Sequence, residues 1–594
     1  MCGFVGFTNK INDASIVLGK MMDRIKHRGP DSDGKYVDEQ IAMGFRRLSI
    51  IDLSDQGSQP IFNEDKSLVL TFNGEIYNYK DLREELVASG HKFYTQTDSE
   101  VLIHGYEQWG EDMLDKLRGM FAFVIFNKNT NEVFGARDFF GIKPLYYAKM
   151  GETLMWGSEI KSFLDHPQYS PTTETFFKNV YKLPAAHCFT YKNGEMNVRR
   201  YWEVKFHADN GPALEDWVNR ISDTFKNSVE VHKFADVEVG SFLSSGVDSS
   251  YVAAVANVDK TFTVGFGEDE KYNEIGYAKE FSKYINKENF SKVISPEEYW
   301  NSLSKIQYHM DEPLADPAAV ALFFVCQIAS EKVKAVLSGE GADEIFGGYN
   351  IYHNPADMAS YFKIPRPIRK AVGAVAEKLP HKHGINYLIR GSKDLDERFI
   401  GNAYIFSEKE RKDILSIKTN APDAMAITKP FYDKVRDQDQ VTQMQYIDLH
   451  LWMTGDILLK ADKMSMAHSL ELRVPFLDRK VMELAEQIPV KDRVTETETK
   501  YAMRLAALQA CPPQTAKKKK LGFPVPIRVW LKEDKYYNIV KDKFTSPQSA
   551  QFFHTDKLVQ LLDDHRAGKY DYSRKIWTVF SFLVWYDVYF SDNV

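Results

Sequence analysis

The chain has 594 residues, enough for several domains, with 44% hydrophobic and 27% charged residues, the balance of an ordinary globular protein. Its formal net charge of −7 excludes a nucleic-acid binder whose affinity rests on phosphate contacts. No apolar run is long enough to span a bilayer and no signal-peptide pattern opens the chain. Cys2, Cys188, Cys326 and Cys511 are too scattered for a disulfide framework or a cysteine-based zinc site, so a reducing cytoplasm is the expected compartment.

In chain order, Met1-Cys2 comes first. Removal of the initiator Met would leave Cys2 with its own α-amino group as a base for its thiol. Residues 3–7 read as a strand and 13–26 as an amphipathic helix with Ile16, Val17, Met21 and Ile25 on one stripe. A turn at His27-Arg-Gly-Pro-Asp31 follows, then a strand over 41–51 carrying Arg46 and Arg47. A strand over 68–72 runs into Asn73-Gly74-Glu75. Asp81 to Glu84 reads as a capping box for a helix ending at Gly90, and Thr97-Asp-Ser-Glu100 opens the next helix. Short strands at 121–126, 132–136, 145–147 and 154–156 complete an α+β layered pattern.

Residues 201–206 read as the last strand of that region or its exit, and 207–212 as a linker, which puts the domains at 1–206 and 207–594. Leu214, Trp217, Ile221, Phe225 and Val229 form a helical stripe. Strands at 237–243, 261–266, 290–294 and 333–337 then alternate with helices, the rhythm of an α/β doubly wound parallel sheet that binds ligands at the carboxyl ends of its strands. From about residue 440 the pattern is helical; residues 351–438 carry no readable role.

Two turns in the second region carry chemistry. Ser241-Phe-Leu-Ser-Ser-Gly-Val-Asp-Ser-Ser250 lies between a strand end and a helix start, where unpaired N–H groups suit phosphate. Ser244, Gly246, Asp248 and Ser249 are small or polar, and the G-x-x-x-x-G-K-[ST] pattern of P-loops is absent. The segment resembles the pyrophosphatase loop of enzymes that cut ATP to AMP and pyrophosphate, with Ser245 where that family usually has Gly; a positive φ there would be costlier for Ser. Ser338-Gly-Glu-Gly-Ala-Asp-Glu-Ile-Phe-Gly-Gly-Tyr349 adds glycines for close approach and carboxylates able to hold Mg²⁺.

Cys2, His27-Arg-Gly-Pro-Asp, Arg47-Leu-Ser-Ile-Ile-Asp, Asn73-Gly-Glu-Ile-Tyr-Asn, Thr97-Asp-Ser-Glu and Gly119-Met-Phe-Ala-Phe recur in the order of the glutaminase domain of N-terminal-nucleophile (class II) glutamine amidotransferases, which the first region resembles. The resemblance implies layered antiparallel sheets with helices. It implies Cys2 as nucleophile on the glutamine amide and oxyanion donors from Asn73 and Gly74. Arg47 would grip the α-carboxylate, and Glu75 and Asp98 the α-ammonium. The two later turns, with Lys460-Ala-Asp-Lys-Met, Glu471-Leu-Arg-Val-Pro-Phe-Leu-Asp478 and Lys519-Lys-Leu-Gly-Phe-Pro524, resemble the synthetase domain of asparagine synthetases. That likeness implies ATP as co-substrate on Leu243, Ser244, Gly246, Asp248, Ser249, Val264, Ser338 and Gly339. Mg²⁺ would sit on Asp248 and Asp343, Lys520 on phosphate, and Glu340 would take a proton from attacking ammonia.

Together these imply glutamine hydrolysis feeding ammonia, through a largely apolar internal passage, to a carboxylate activated as an acyl-adenylate. At Leu314-Ala-Asp-Pro317 the family's aspartate-specific members carry Thr and Arg; here an anion replaces a cation. This segment, with Gly348-Tyr-Asn-Ile-Tyr, resembles a bacterial branch amidating meso-diaminopimelate in peptidoglycan precursors, with free aspartate as the alternative acceptor. No nucleic-acid partner is expected, and the oligomeric state, homodimer included, stays open.

Overall fold

The computed structural model describes residues 2–9, 11–167, 176–267, 269, 271–379, 383–518 and 525–591. Its first region contains β1 (Gly3–Thr8), β2 (Ser32–Val37), β3 (Ile41–Arg47), β4 (Ile61–Phe62), β5 (Leu68–Ile76), β6 (Gly119–Asn127), β7 (Glu132–Arg137), β8 (Tyr146–Met150), β9 (Thr153–Gly157), β10 (Val180–Lys182), β11 (His187–Lys192) and β12 (Glu195–Arg200). They form two antiparallel sheets, ordered β10-β8-β9-β1-β3-β2 and β12-β11-β7-β6-β5-β4. Helices α1 (Ala14–Arg24), α2 (Tyr79–Ala88), α3 (Glu100–Trp109) and the short α4 (Met113–Lys116) belong to the same region.

Strand β6 explains the layering. Phe121, Phe123 and Ile125 share a core with Leu82 and Leu86 of α2 and Leu102 and Ile103 of α3. Their neighbours Ala122, Val124 and Phe126 pack with Phe4, Phe45 and Trp156 of the opposite sheet. With both faces covered, the strand is continuously apolar instead of alternating. On the far side α1 sets Leu18, Met21, Met22 and the following Ile25 in the core with Val5, Phe7 and Ala42. That i, i+3, i+4, i+7 set is the true stripe; Ile16, expected on it, is 60% exposed.

Two local expectations change. Strand β5 runs on through Asn73, Gly74 and Glu75, which pair with Ala122, Phe121 and Met120, because the partner strand is long enough to continue the ladder. Helix α2 starts at Tyr79 after Asn78, so Asp81 lies in its first turn and is not its cap. Residues 201–206 are the exit from the last strand, β12, with no sheet partner of their own.

The second region is built on β13 (Val239–Phe242), β14 (Lys260–Phe266), β15 (Glu288–Ile294), β16 (Ala335–Leu337) and β17 (Glu471–Arg473), a wholly parallel sheet ordered β15-β14-β13-β16-β17. Helices α5 (Leu214–Lys233), α6 (Val247–Ala256), α7 (Ile275–Tyr284), α8 (Pro296–Asn301), α9 (Leu303–Met310), α10 (Ala318–Ser330) and α11 (Ala342–Phe346) accompany it. Strand order reverses between β13 and β16, so the loops after these two strands open a crevice at their carboxyl ends. Beyond β16 the described residues are helical apart from β17, and no helix among them is long and apolar enough to cross a membrane.

Charge locks the two regions together. Arg28, fully buried, bonds Glu159 at 2.9 Å and Asp462 at 2.8 and 3.0 Å; Asp462 lies on the helix Leu458–Met466 of the second region. Removing one member of a buried ion cluster strands its partners. Arg28→Met should therefore cost about 3–5 kcal/mol, read as a lower thermal unfolding midpoint, whereas Arg28→Lys should recover part of the loss.

Candidate functional site

The first cleft forms where β1 meets β5 and the loops after β3 and before α3, lined by Cys2, Arg47, Leu48, Gly74, Glu75, Thr97 and Asp98, among others. The backbone N–H of Cys2 donates to Asn73 Oδ1 at 2.9 Å, which orients the amide. Asn73 Nδ2 is then buried with no partner among the described residues, a donor left over for something in the cleft. The Cys2 thiol donates to the Leu48 carbonyl at 3.8 Å, and burial pushes its pKa up. Gly74 admits no side chain: an added Cβ would stand 2.0 Å from the Met120 carbonyl, and its φ is +154°.

On the wall, Arg47 donates to the carbonyls of Ser54, at 2.6 Å, and of Asp52, so the guanidinium is braced from one side. Glu75 and Asp98 are buried carboxylates. Asp98 accepts from the Ile76 N–H at 2.8 Å, yet burial still lifts it to about 7. Burial and the nearby Glu471 raise Glu75 well above the usual carboxylate range, against an ion pair with Arg473 Nη2 at 3.3 Å. A cation brought to this pair would relieve an unfavourable concentration of negative charge.

The second site is a cavity of about 540 Å³ at the carboxyl ends of β13, β14 and β16. It gathers Leu243, Ser244, Gly246, Asp248, Ser249, Val264, Ser338, Gly339, Glu340 and Asp343, so the two turns singled out in the sequence, with Val264, share one wall. Ser249 Oγ receives the Ser244 N–H at 3.1 Å and lies 2.9 Å from Ser244 Oγ, closing the loop over the start of α6. Gly339 lets the second turn touch the first: a Cβ there would stand 2.7 Å from the Ser249 nitrogen. Ser245 takes no left-handed conformation; its hydroxyl bonds Glu274 instead, so replacing the family's Gly strains nothing.

Glu340 is the group of this cavity with unspent capacity. Burial raises it to about 7, and its Oε2 is buried without a hydrogen-bond partner among the described residues. Lys460 is committed, bonding Asp456 at 2.8 Å and Asp316. Lys520 lies outside the described residues. A separate cavity of about 360 Å³ opens where the regions meet, lined in part by Phe139, Phe140 and Trp202 from one and Leu449 and Met453 from the other.

Sequence reasoning missed Lys500. Its ammonium is 2.6 Å from both oxygens of Asp248 and 2.8 Å from Asp343 Oδ1, with only 1% of its side chain exposed. A single Lys before a helix (Tyr501–Ala507) carries no distinguishing pattern. The carboxylates converging on that ammonium are oxygen ligands of the kind Mg²⁺ uses, so the pair fits a divalent cation beside the phosphate-type loop.

Residues 220–587 match the asparagine synthase family, and residues 1–202 match the glutamine amidotransferase domain. The relative named asparagine synthetase [glutamine-hydrolyzing] 1 of Bacillus subtilis is 44% identical over 99% of this chain and 97% of its own length. A putative asparagine synthetase [glutamine-hydrolyzing] of Mycobacterium tuberculosis is 38% identical over 100% of this chain and 98% of its own.

Replacing Lys500 by Met removes the ammonium that Asp248 and Asp343 share. Thermal melts should show a drop of several degrees in chelator that millimolar Mg²⁺ recovers at least in part, whereas the unsubstituted protein should change little between the two conditions.

Proposed function

The chain belongs to the asparagine synthase family, and from that premise we propose that it is a two-site amidotransferase: glutamine is hydrolysed in the first cleft and the ammonia is joined to an adenylated carboxylate in the second. Residues 1–206 are taken as the glutaminase domain and 207–594 as the synthetase domain, working in the cytoplasm. The observation that carries the reading is the first cleft, where a thiol, an unpartnered amide donor, a braced guanidinium and two strained carboxylates meet.

With Met1 removed, the α-amino group of Cys2 takes the thiol proton, and the thiolate attacks the glutamine side-chain carbonyl. Asn73 Nδ2 and the Gly74 N–H receive the developing oxyanion. The α-ammonium of Cys2 then gives its proton to the amide nitrogen, which leaves as ammonia, and water clears the thioester to release glutamate and restore the thiol. Arg47 holds the substrate carboxylate; Glu75 and Asp98 hold its ammonium.

In the second site Leu243, Val264, Ser244, Gly246, Ser249, Ser338 and Gly339 bind and orient ATP. Mg²⁺ on Asp248 and Asp343 would offset charge on the phosphates, alongside Lys520. The acceptor carboxylate displaces pyrophosphate from the α-phosphorus. Ammonia then attacks the acyl carbon, AMP leaves, and Glu340 takes the proton.

For the acceptor, we retain a carboxylate next to an amino group, as in meso-diaminopimelate of a peptidoglycan precursor. Among the described lining residues the one Lys or Arg is Lys460, and Asp316 and Asp456 hold it, so a free α-carboxylate finds no uncommitted cation. Free aspartate is the second reading, favoured by the names of the relatives. With ATP, Mg²⁺ and glutamine supplied, a diaminopimelate-containing muropeptide should be amidated faster than aspartate; rapid asparagine formation with an inert muropeptide would reverse the assignment.

Cys2→Ala should abolish glutamine use while ligation persists with ammonium salt. The pH dependence follows from Asp98, raised to about 7. Below that pH it is protonated and cannot pair with an ammonium, so KM for glutamine should rise as pH falls from 8 to 6. Asp98→Asn should raise KM by more than about tenfold and flatten that dependence.

A further inference from the structure

On the outer side of the glutaminase domain, away from the residues assigned to either reaction, four side chains from three segments converge. Glu64 comes from the turn between β4 and β5, and His91 from the two-residue exit of α2 past Ser89. His104 and Glu107 sit three residues apart on one face of α3. One ligand atom from each lies within 4.8 Å of all the others. His104 Nδ1 is 3.4 Å from Glu64 Oε2 and 4.0 Å from Glu107 Oε2; His91 Nδ1 is 3.6 Å from Glu64 Oε1 and 3.7 Å from Glu107 Oε2.

These separations are too long for good hydrogen bonds. They are close to the edges, roughly 3.3 Å, of a tetrahedron of ligands around a zinc-sized ion with bonds of about 2.0 Å. His104 supplies an independent sign. It is 0% exposed, and neither ring nitrogen has a hydrogen-bond partner in the described structure. Burying an imidazole without satisfying either nitrogen is costly. The outer nitrogens are placed as second partners of a metal-bound histidine would be. His91 Nε2 meets Gln108 Oε1 at 3.1 Å, which leaves Nδ1 as the lone-pair atom facing the cluster. His104 Nε2 faces Glu100 Oε1 at 3.5 Å, and that carboxylate is itself fixed by the N–H groups of Tyr94 and Thr95 at 2.7 Å each.

We propose that Glu64, His91, His104 and Glu107 form a structural site for a zinc-class divalent cation. Two imidazoles and two carboxylates suit Zn²⁺ better than Mg²⁺ or Ca²⁺, which take oxygen ligands. Four protein ligands leave no open position for chemistry, and the 38% exposed side chain of Glu107 gives the ion its way in. The ion ties the β4–β5 turn and the α2 exit to α3, whose N-terminal flank carries Thr97 and Asp98 of the glutaminase cleft.

The test uses the full-length protein, made without a polyhistidine tag and dialysed against chelator. Zn²⁺ titrated calorimetrically should saturate at one per chain in the presence of millimolar Mg²⁺. Co²⁺ in its place should give the intense visible bands of a tetrahedral site, and Zn²⁺ should raise the melting midpoint. His91→Ala and Glu107→Ala, which leave the fully buried His104 in place, should each weaken binding by at least about tenfold and abolish the Co²⁺ bands. No saturable Zn²⁺ binding, an octahedral Co²⁺ spectrum, or unchanged affinity in the His91→Ala/Glu107→Ala double variant would overturn the site and leave an ordinary cluster of histidines and carboxylates.

Discussion

The structure depends on a lattice of buried charge between its two halves. Arg28, Glu159 and Lys161 come from the first; Asp311, Asp462 and Lys463 come from the second. Three cations meet three anions, all nearly sealed from water. Glu159 is held well below the usual carboxylate range despite burial, because the groups around it, His27, Lys161 and Lys463 among them, together outweigh its desolvation. Each ion lost several kcal/mol of hydration on entering this interface, and only the complete set of partners offsets that cost. A slipped docking would leave at least one charge alone, so the lattice enforces a single register. Asp311 extends the lock further: it accepts from the Ile160 N–H at 2.9 Å, and its carbonyl receives the indole N–H of Trp585 at 2.7 Å, tying in the last helix.

That register decides what the two sites can do for each other. A glutaminase cleft and a nucleotide cavity on separate proteins would lose ammonia to water, where near neutral pH it is mostly ammonium and no longer a nucleophile. Fixed halves make a continuous protected route geometrically conceivable. The cavity between them sets Phe139, Trp202 and Met453 beside Arg137, Lys182, Arg200, Glu203 and His450, so its wall mixes apolar surface with groups able to hold ammonia or give it a proton.

The sequence made some of this legible and hid the rest for physical reasons. Cys2, Asn73, Asp98, Asp248 and Asp343 stand out because they sit in short ordered blocks around turns, and the fold brings those blocks to the two clefts. The layered sheets could be read because strands such as β6 are long and apolar. Strand β17 could not: it is three residues long with charged Glu471 and Arg473 at its ends, both fully buried, so hydropathy gives it the signature of a surface turn. β2 alternates half-buried and exposed residues without large apolar side chains until Tyr36 and Val37, and was invisible for the same reason. Lys500 acts only through residues more than 150 positions away in the chain, which no local pattern records.

β17 touches both clefts. The carbonyl of Arg473 receives the Ser338 N–H at 2.8 Å, which fixes the start of the turn lining the second cavity. Its side chain donates through Nη1 to the carbonyls of His232 and Phe234, both at 2.7 Å, and through Nε to Glu471 at 2.5 Å. What remains is Nη2, which faces Glu75 at 3.3 Å without a formed hydrogen bond. On the proposed reading, an ammonium arriving at Glu75 must share that carboxylate with Arg473. The guanidinium has little freedom to retreat, since Nη1 is held by two backbone carbonyls and Nε by the Glu471 carboxylate. β17 is hydrogen-bonded in register to β16, the strand that carries the second site. The buried charges that look misplaced in a short core strand are those that reach Glu75 of the first cleft from a strand whose backbone holds the Ser338 turn of the second.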